Sequence, residues 1–423
     1  MISLIEALNF RCLRDVRQPL DRFHVLVGPN ASGKTTFLDV VAFLGDVVAV
    51  GLESAVRKRT RSPQDLVWLR NGIQFQLAIE AALPPEIQVK LANRAWDTIR
   101  YEIAVTVDPE VAFEAERVVL LTGTAPPPAQ IEMFPASGTV RESLLTRPAP
   151  GARTIINKVL GGNDNFYSET YKEPGKGWAT AFKLSPRKSA LANLPEDETA
   201  FPAATWLKRL LAEGVQPFIL NSLAIREASP PGQQRTFKTD GSNLPWVVAA
   251  LESPGNGSGS GTSGERLAAW IAHVKCALPD LEGLRTIERE DDKHRYLMLR
   301  YRNGLEVPSW MASDGTLRLL ALTLPAYLPN FRGVFLIEEP ENGLHPQAVE
   351  IALQSLSSVY DSQMLLASHS TVVLSLVELS QVLCFAKTSE GETCIVRGTD
   401  HPMLRNWQGE VDLGTLFATG ILG

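Results

Sequence analysis

Gly28-Pro29-Asn30-Ala31-Ser32-Gly33-Lys34-Thr35, GPNASGKT, decides the fold, because it matches the pattern G-x-x-x-x-G-K-[ST]. Its flanks are those the pattern needs. Before it, FHVLV at Phe23–Val27 is almost wholly apolar, as expected of a parallel strand buried on both faces. After it, Phe37, Val40, Val41, Leu44, Val47 and Val48 share one helical face, while Asp39 and Asp46 share the other. Glycines let such a loop wrap closely around phosphate oxygens, so that amide N–H groups and the helix N-terminus face the anion. Residues Gly28, Pro29, Asn30, Ala31, Ser32, Gly33, Lys34, Thr35 and Thr36 are therefore expected to hold the phosphates of ATP. Lys34 is expected to reach the β- and γ-phosphates, and the Thr35 hydroxyl to take a place on Mg²⁺.

Three further motifs follow in order. VFLIEEPENGLHP, from Val334 to Pro346, is an apolar strand that ends in two acids. Glu338 is expected to hold the Mg²⁺ shell, and Glu339 to polarise the attacking water as general base. Two adjacent acids at a strand end are ordinarily a solvated turn; the phosphate loop earlier in the chain changes that reading. Ala367-Ser368-His369-Ser370 closes the next apolar strand, where His369 could donate to a γ-phosphate or to the attacking water. Ser313-Asp314-Gly315-Thr316 opens an apolar helix. Ser313 is a good N-cap, which suffices structurally, yet a helix start with a serine and a small glycine is also a second phosphate cradle. One chain already has one cradle. Ser313 and Gly315 are thus expected to close over ATP held by another copy, in a two-fold dimer with two shared sites.

In this order the phosphate loop, ASDGT, LIEEPENGLHP and ASHS resemble the ABC-type ATPase heads of the RecF/SMC group. The likeness is greatest to OLD-like and related prokaryotic AAA-type ATPases of phage-defence and toxin-type systems. Asn9-Phe10-Arg11 and the EEPE-LHP form of the acidic strand belong to the same resemblance, as does, weakly, DGSNLPWVV from Asp240 to Val248. It implies an α/β P-loop NTPase head: a mostly parallel sheet, an antiparallel β meander, a helical subdomain and a globular insertion. It also implies hydrolysis of ATP with Mg²⁺, with Lys34, Glu339 and His369 as the catalytic residues. Two departures bear on mechanism. The usual signature is LSGGQ or LSGGE, so Asp314 introduces an acid that repels phosphate unless it points away. Glu338 also stands where these families have Asp. The glutamine that contacts Mg²⁺ in the family has Gln64, Gln74 and Gln76 as candidates.

Outside the motifs, Ile73 to Ile79, Arg100 to Val107 and Glu116 to Leu121 read as strands of the meander. The stretch from Thr124 to Arg153 is rich in Pro, Gly, Ser and Thr, and SPGNGSGSGTSG from Ser253 to Gly264 reads as a flexible loop between helices. Thr154 to Gly214 is mixed, with helical character at Thr205 to Ala212. These boundaries suggest an N-terminal lobe at 1–123, an inserted segment at 124–215 and a C-terminal lobe at 216–423.

Of the 423 residues, 44% are hydrophobic and 21% charged, which excludes a disordered or fibrous chain. With 41 Lys and Arg against 47 Asp and Glu, a surface coated in nucleic acid is disfavoured. DNA or RNA remains a candidate partner only through the run Arg57, Lys58, Arg59 and Arg61, which a plain solvated loop would also explain. Cys12, Cys276, Cys384 and Cys394 have no metal-site or disulfide spacing, and no apolar span or signal peptide is evident, so a cytoplasmic protein with no membrane partner is expected. Residues 370–423 are too few for the nuclease domain that OLD-like proteins often append. The expected effector, a nuclease or toxin, is then a separate protein. A RecF-like DNA-repair ATPase is the alternative, and a transporter subunit fits the EEPE-LHP strand poorly.

Overall fold

The computed structural model describes residues 1–123, 140–147, 150–171, 179–234, 236–252, 263–329, 331–404 and 413–418. The chain divides into two units, one spanning Met1–Gln216 and Leu379–Gln408, the other Pro217–Glu378.

The first unit opens with β1 (Ile2–Phe10), β2 (Leu13–Pro19) and β3 (Phe23–Val27). Helix α1 (Lys34–Val50) and the short α2 (Leu52–Arg57) follow, then β4 (Gln74–Ala82), β5 (Thr98–Thr106), β6 (Ala112–Leu121), β7 (Arg153–Val159), β8 (Asp164–Tyr167), β9 (Ala179–Phe182) and α3 (Pro202–Arg209). Eight of these strands form one antiparallel sheet in the order β2-β1-β4-β5-β6-β7-β8-β9. The expected meander β4–β6 is its centre, and β7–β9, which carry no clear period in the sequence, extend it by antiparallel pairing onto β6.

Helix α1 buries ten residues because it is packed on more than one side. Phe43 meets Phe10 of β1 and Phe75 of β4 at ring distances of 5.8 and 5.7 Å, while Phe37 meets Phe385 edge-on at 5.6 Å. Full burial of each such ring is worth roughly 1.5–3 kcal/mol.

The meander also buries charge. On β5, Arg100 donates to Glu80 at 2.9 Å, pairs with Glu6 at 2.5 Å and reaches the Leu144 carbonyl at 3.0 Å. Arg141 pairs with Asp15 and Glu6, and Glu102 accepts the Thr146 amide at 2.7 Å. Residues 141–146 therefore cover this face of the sheet and partner its charges, which an apolar-in, polar-out alternation cannot foresee. The rest of the expected loop from Thr124 lies largely outside the described residues, as does the glycine-serine stretch after Glu252.

The second unit begins with α4 (Ser222–Arg226), α5 (Leu244–Glu252) and α6 (Ser263–Val274). A three-stranded antiparallel sheet, β10 (Leu281–Glu288), β11 (Arg295–Tyr301) and β12 (Glu306–Pro308), leads to α7 (Asp314–Thr323). Strand β13 (Gly333–Glu338), α8 (Pro346–Ser357), β14 (Ser362–Ala367) and α9 (Thr371–Ser375) follow, and a short helix at Leu413–Ala418 also belongs to this unit. As the alternation of apolar strand and helix predicts, β13 and β14 are parallel. Trp270 of α6 is wholly buried and donates Nε1–H to Thr323 Oγ1 at 2.8 Å, fixing α6 against α7.

The chain then returns to the first unit with β15 (Val382–Lys387), parallel to β3, and β16 (Thr393–Arg397), antiparallel to β15. All four cysteines are free thiols. Among the described residues no helix is long and apolar enough to cross a membrane.

Candidate functional site

In the first unit, β3 is buried along its whole length and ends at a loop with the shape its glycines allow. Gly28 sits at φ 146°, Ala31 at 62° and Gly33 at 105°. A Cβ on Gly28 would lie 2.1 Å from the Phe385 carbonyl oxygen, and one on Gly33 would lie 2.2 Å from Thr393 Oγ1. The Thr393 hydroxyl also donates to the Ser32 carbonyl at 2.9 Å, so β15 and β16 form the wall on which the loop is moulded. Neither glycine tolerates a side chain, because both the backbone angle and the space exclude one.

Helix α1 starts at Lys34 with no side-chain cap on its N-cap residue Gly33, so the positive end of its dipole faces the loop. Lys34 is buried, and its Nζ donates to the carbonyls of Gly28 at 2.8 Å and Pro29 at 2.9 Å. The ammonium is thus held over the mouth of the loop by groups that phosphate oxygens could replace. Pro29, Asn30, Ala31 and Thr35 are exposed, Thr36 is half-buried and Ser32 is buried. A strained cradle, an uncapped 17-residue helix and a lysine at its first turn suit a polyphosphate.

The second unit brings together the other three motifs. Glu338, the last residue of β13, is in register with Ala367, the last of β14, so the acids and Ser368-His369 leave neighbouring strand ends. Glu339 takes a left-handed conformation, φ 47°, with its amide donating to the Ala367 carbonyl at 2.8 Å. That conformation costs a non-glycine residue on the order of 1 kcal/mol and is the kind of strain found at working sites. Asn342 Nδ2 donates to Glu339 Oε2, steadying the carboxylate.

Glu341, which the sequence reading did not single out, ties two motifs together. Its Oε1 accepts the Ser368 hydroxyl at 2.6 Å and the His369 amide at 3.2 Å. The signal was present in EEPE, where a third acid follows the first two after a proline.

Ser313 caps α7 as expected, its Oγ accepting the Thr316 amide at 3.1 Å. A Cβ on Gly315 would lie 2.8 Å from the Gly343 carbonyl oxygen, so glycine here lets the start of α7 touch the loop after the acidic strand. Asp314 does not stand open: Arg226 Nε donates to its Oδ1 at 2.9 Å.

In the basic run Arg57, Lys58 and Arg61 are exposed, while Arg59 is not. Arg57 pairs with Glu53 at 2.6 Å and Lys58 with Asp46 at 3.0 Å. Arg59 is largely buried between Asp39 at 2.6 Å and Asp46 at 2.8 Å, with its guanidinium 5.0 Å from the Phe43 ring centre. Of the glutamine candidates, Gln76 is committed, because its Oε1 accepts from Ser143 Oγ and the Leu144 amide. Gln64 Nε2 donates to the Arg70 and Gly72 carbonyls. Gln74 Oε1 is buried without a hydrogen-bond partner among the described residues.

Residues 23–88 and 169–375 match the family model described as an AAA domain, a description that also names the AbiEii toxin and the type IV TA system. An OLD nuclease of Thermus scotoductus is 46% identical over 48 residues, a match covering 11% of this chain and 9% of that protein. Among solved structures, an SmcHead bound to the C-winged helix domain of ScpA aligns with TM-score 0.52 at 13% identity, over 93% of this chain and 96% of that one. An Smc head domain with an extended coiled coil, bound to the C-terminal domain of ScpA derived from Pyrococcus furiosus, aligns with TM-score 0.49 at 11% identity, over 100% of this chain and 98% of that one. The SmcHead likeness shows the fold: a P-loop NTPase of the kind seen in SMC ATPase heads.

Proposed function

The chain belongs to this AAA-domain family, within the RecF, SMC and OLD group of ABC-type ATPases, and on that footing we propose that it binds and hydrolyses ATP. Further, it dimerises around two ATP–Mg²⁺ and so governs a separate effector, a nuclease or toxin, in a prokaryotic antiphage or toxin-like system.

The observation that supports the reading is the register of Glu338 with Ala367 in parallel strands, by which the chain segments Glu338-Glu339 and Ser368-His369 leave neighbouring strand ends. The amides of 28–36 and the Lys34 ammonium bind the triphosphate. Thr35 and Glu338 are the residues that would hold Mg²⁺, which when bound would supply charge neutralisation on the phosphates. Glu339 orients the attacking water and takes its proton as the O–P bond forms and the bond to the ADP oxygen breaks. His369 donates a hydrogen bond to the charge that develops on the transferred phosphoryl group. Ser313 and Gly315 of one copy close over the ATP of the other.

The toxin system named in the family description supports an effector reading. The ion pairing of Arg57, Lys58 and Arg59 within the first unit makes the RecF-like DNA reading the weaker one, since phosphate contacts would have to displace those carboxylates. The test is phosphate release from ATP by the purified protein beside its Lys34→Ala variant. Release by the wild-type chain no faster than by the variant removes the reading. Co-purification from native cells then identifies the effector.

A further inference from the structure

The acid inside the signature turn has a dedicated partner. Asp314 is the first residue of the ten-residue helix α7 and its side chain is 59% exposed, so its charge faces solvent at the helix start next to Ser313. A carboxylate at a helix start is attracted by the N-terminal partial charge and competes there with any incoming phosphate. Arg226 engages it. Nε and Nη2 both donate to Asp314 Oδ1, and Nη1 donates to the Trp310 carbonyl at 3.2 Å. The Arg226 carbonyl in turn accepts the Ser309 hydroxyl at 2.9 Å. Arg226 therefore spans the segment 309–314 from a helix whose own start is capped by Asn221, and a lysine could not reproduce this fork.

We propose that Arg226 is the positioning residue of the signature turn: it holds the Asp314 carboxylate aside and neutralises it, so that Ser313 and the start of α7 accept the γ-phosphate carried by a second copy. This rests on the dimer reading given under Proposed function. Leu223, one turn before Arg226, and Met311 beside the turn are exposed at 73% and 71%. Covering them would exclude water, and an unmasked Asp314 would then repel phosphate more strongly.

The experiment measures self-association by sedimentation with Mg²⁺ and a non-hydrolysable ATP analogue, for wild type, Arg226→Ala, Arg226→Lys and Arg226→Ala/Asp314→Asn. Arg226→Ala is expected to weaken association by about tenfold or more at low salt, as for an unscreened charge a few ångströms from an anion. Arg226→Lys is expected to lie between it and wild type. The double variant is expected to recover to within about threefold of wild type, since the repelling charge is gone. The deficit of Arg226→Ala is expected to shrink at about 0.5 M salt, where the Debye length is only a few ångströms. A merely structural role would leave the double variant as weak as the single one and the salt dependence flat. Either result, or normal association of Arg226→Ala, overturns the proposal alone. A wild-type chain that stays monomeric with the analogue overturns the dimer reading, and this proposal with it.

Discussion

Glu341 holds His369 in place through its neighbour: one carboxylate oxygen accepts both the Ser368 hydroxyl at 2.6 Å and the His369 amide at 3.2 Å. These two bonds tie the loop after β13 to the loop after β14. Displacing a polar group near the chemistry by about 1 Å can cost on the order of 10²-fold in rate. Glu341→Ala is accordingly expected to lower ATP turnover roughly 10- to 100-fold while the affinity for ATP, read by fluorescence titration, changes less than about threefold. Unchanged turnover would show that the clamp is dispensable.

Glu339 stands at φ 47° with its carboxylate steadied by Asn342, an arrangement suited to a fixed base. Glu339→Gln keeps the shape and removes the basicity. ATP binding is expected to persist, turnover to slow by about 10²-fold or more, and the ATP-bound dimer to accumulate. Single-turnover kinetics check the first two outcomes and sizing the third; turnover at the wild-type rate contradicts the assignment.

Ser313 is exposed at the start of α7 and shares its hydroxyl with Thr316 at 2.8 Å. Ser313→Arg puts a long side chain where a second copy's phosphate is expected. Nucleotide binding by the monomer is expected to survive, and ATP-dependent dimerisation to disappear. Chromatographic sizing with ATP that still shows a dimer refutes the trans contact.

His24, on the strand that feeds the phosphate loop, is fully buried and accepts the Asp21 amide on Nε2 at 2.8 Å, with Nδ1 3.2 Å from the Gln381 carbonyl. Burial is the main cause that pushes its pKa down from 6.5 to about 4. Its folded pKa lies below the unfolded one, so the unfolded chain binds the extra proton between those values. Stability is therefore full above pH 6.5 and falls as pH drops toward 4, by ~3 kcal/mol for this one group. Chemical denaturation of wild type and His24→Gln across that window checks the slope, which is expected to be shallower in the variant. Identical slopes would assign the acid sensitivity to other groups.

The parts of the site legible from sequence are those whose physics is local. GPNASGKT needs only its own glycines and the two elements beside it; Ser313 declares a helix start because its hydroxyl bonds three residues on; β13 and β14 read as parallel strands because both are short and apolar. The early segment was harder, since Leu13–Pro19 pairs with β1 through a tight turn at Arg11 and Cys12 that the composition does not mark.

The amino-acid order alone settled that a phosphate loop, an acidic strand end, a histidine turn and a serine-led helix exist in this chain, because each depends on neighbours within a few residues. The folded structure decided what constrains them. Thr393 walls the loop at Gly33, Arg226 masks Asp314 across 88 positions, Glu341 clamps His369, and Asp39 and Asp46 consume Arg59. Each of those contacts depends on strand register and on which helix face meets which, and neither is encoded at a fixed spacing. Charge in particular is readable in a sequence only as a count. Whether an acid repels a phosphate or is already satisfied follows from the partner that tertiary packing places beside it.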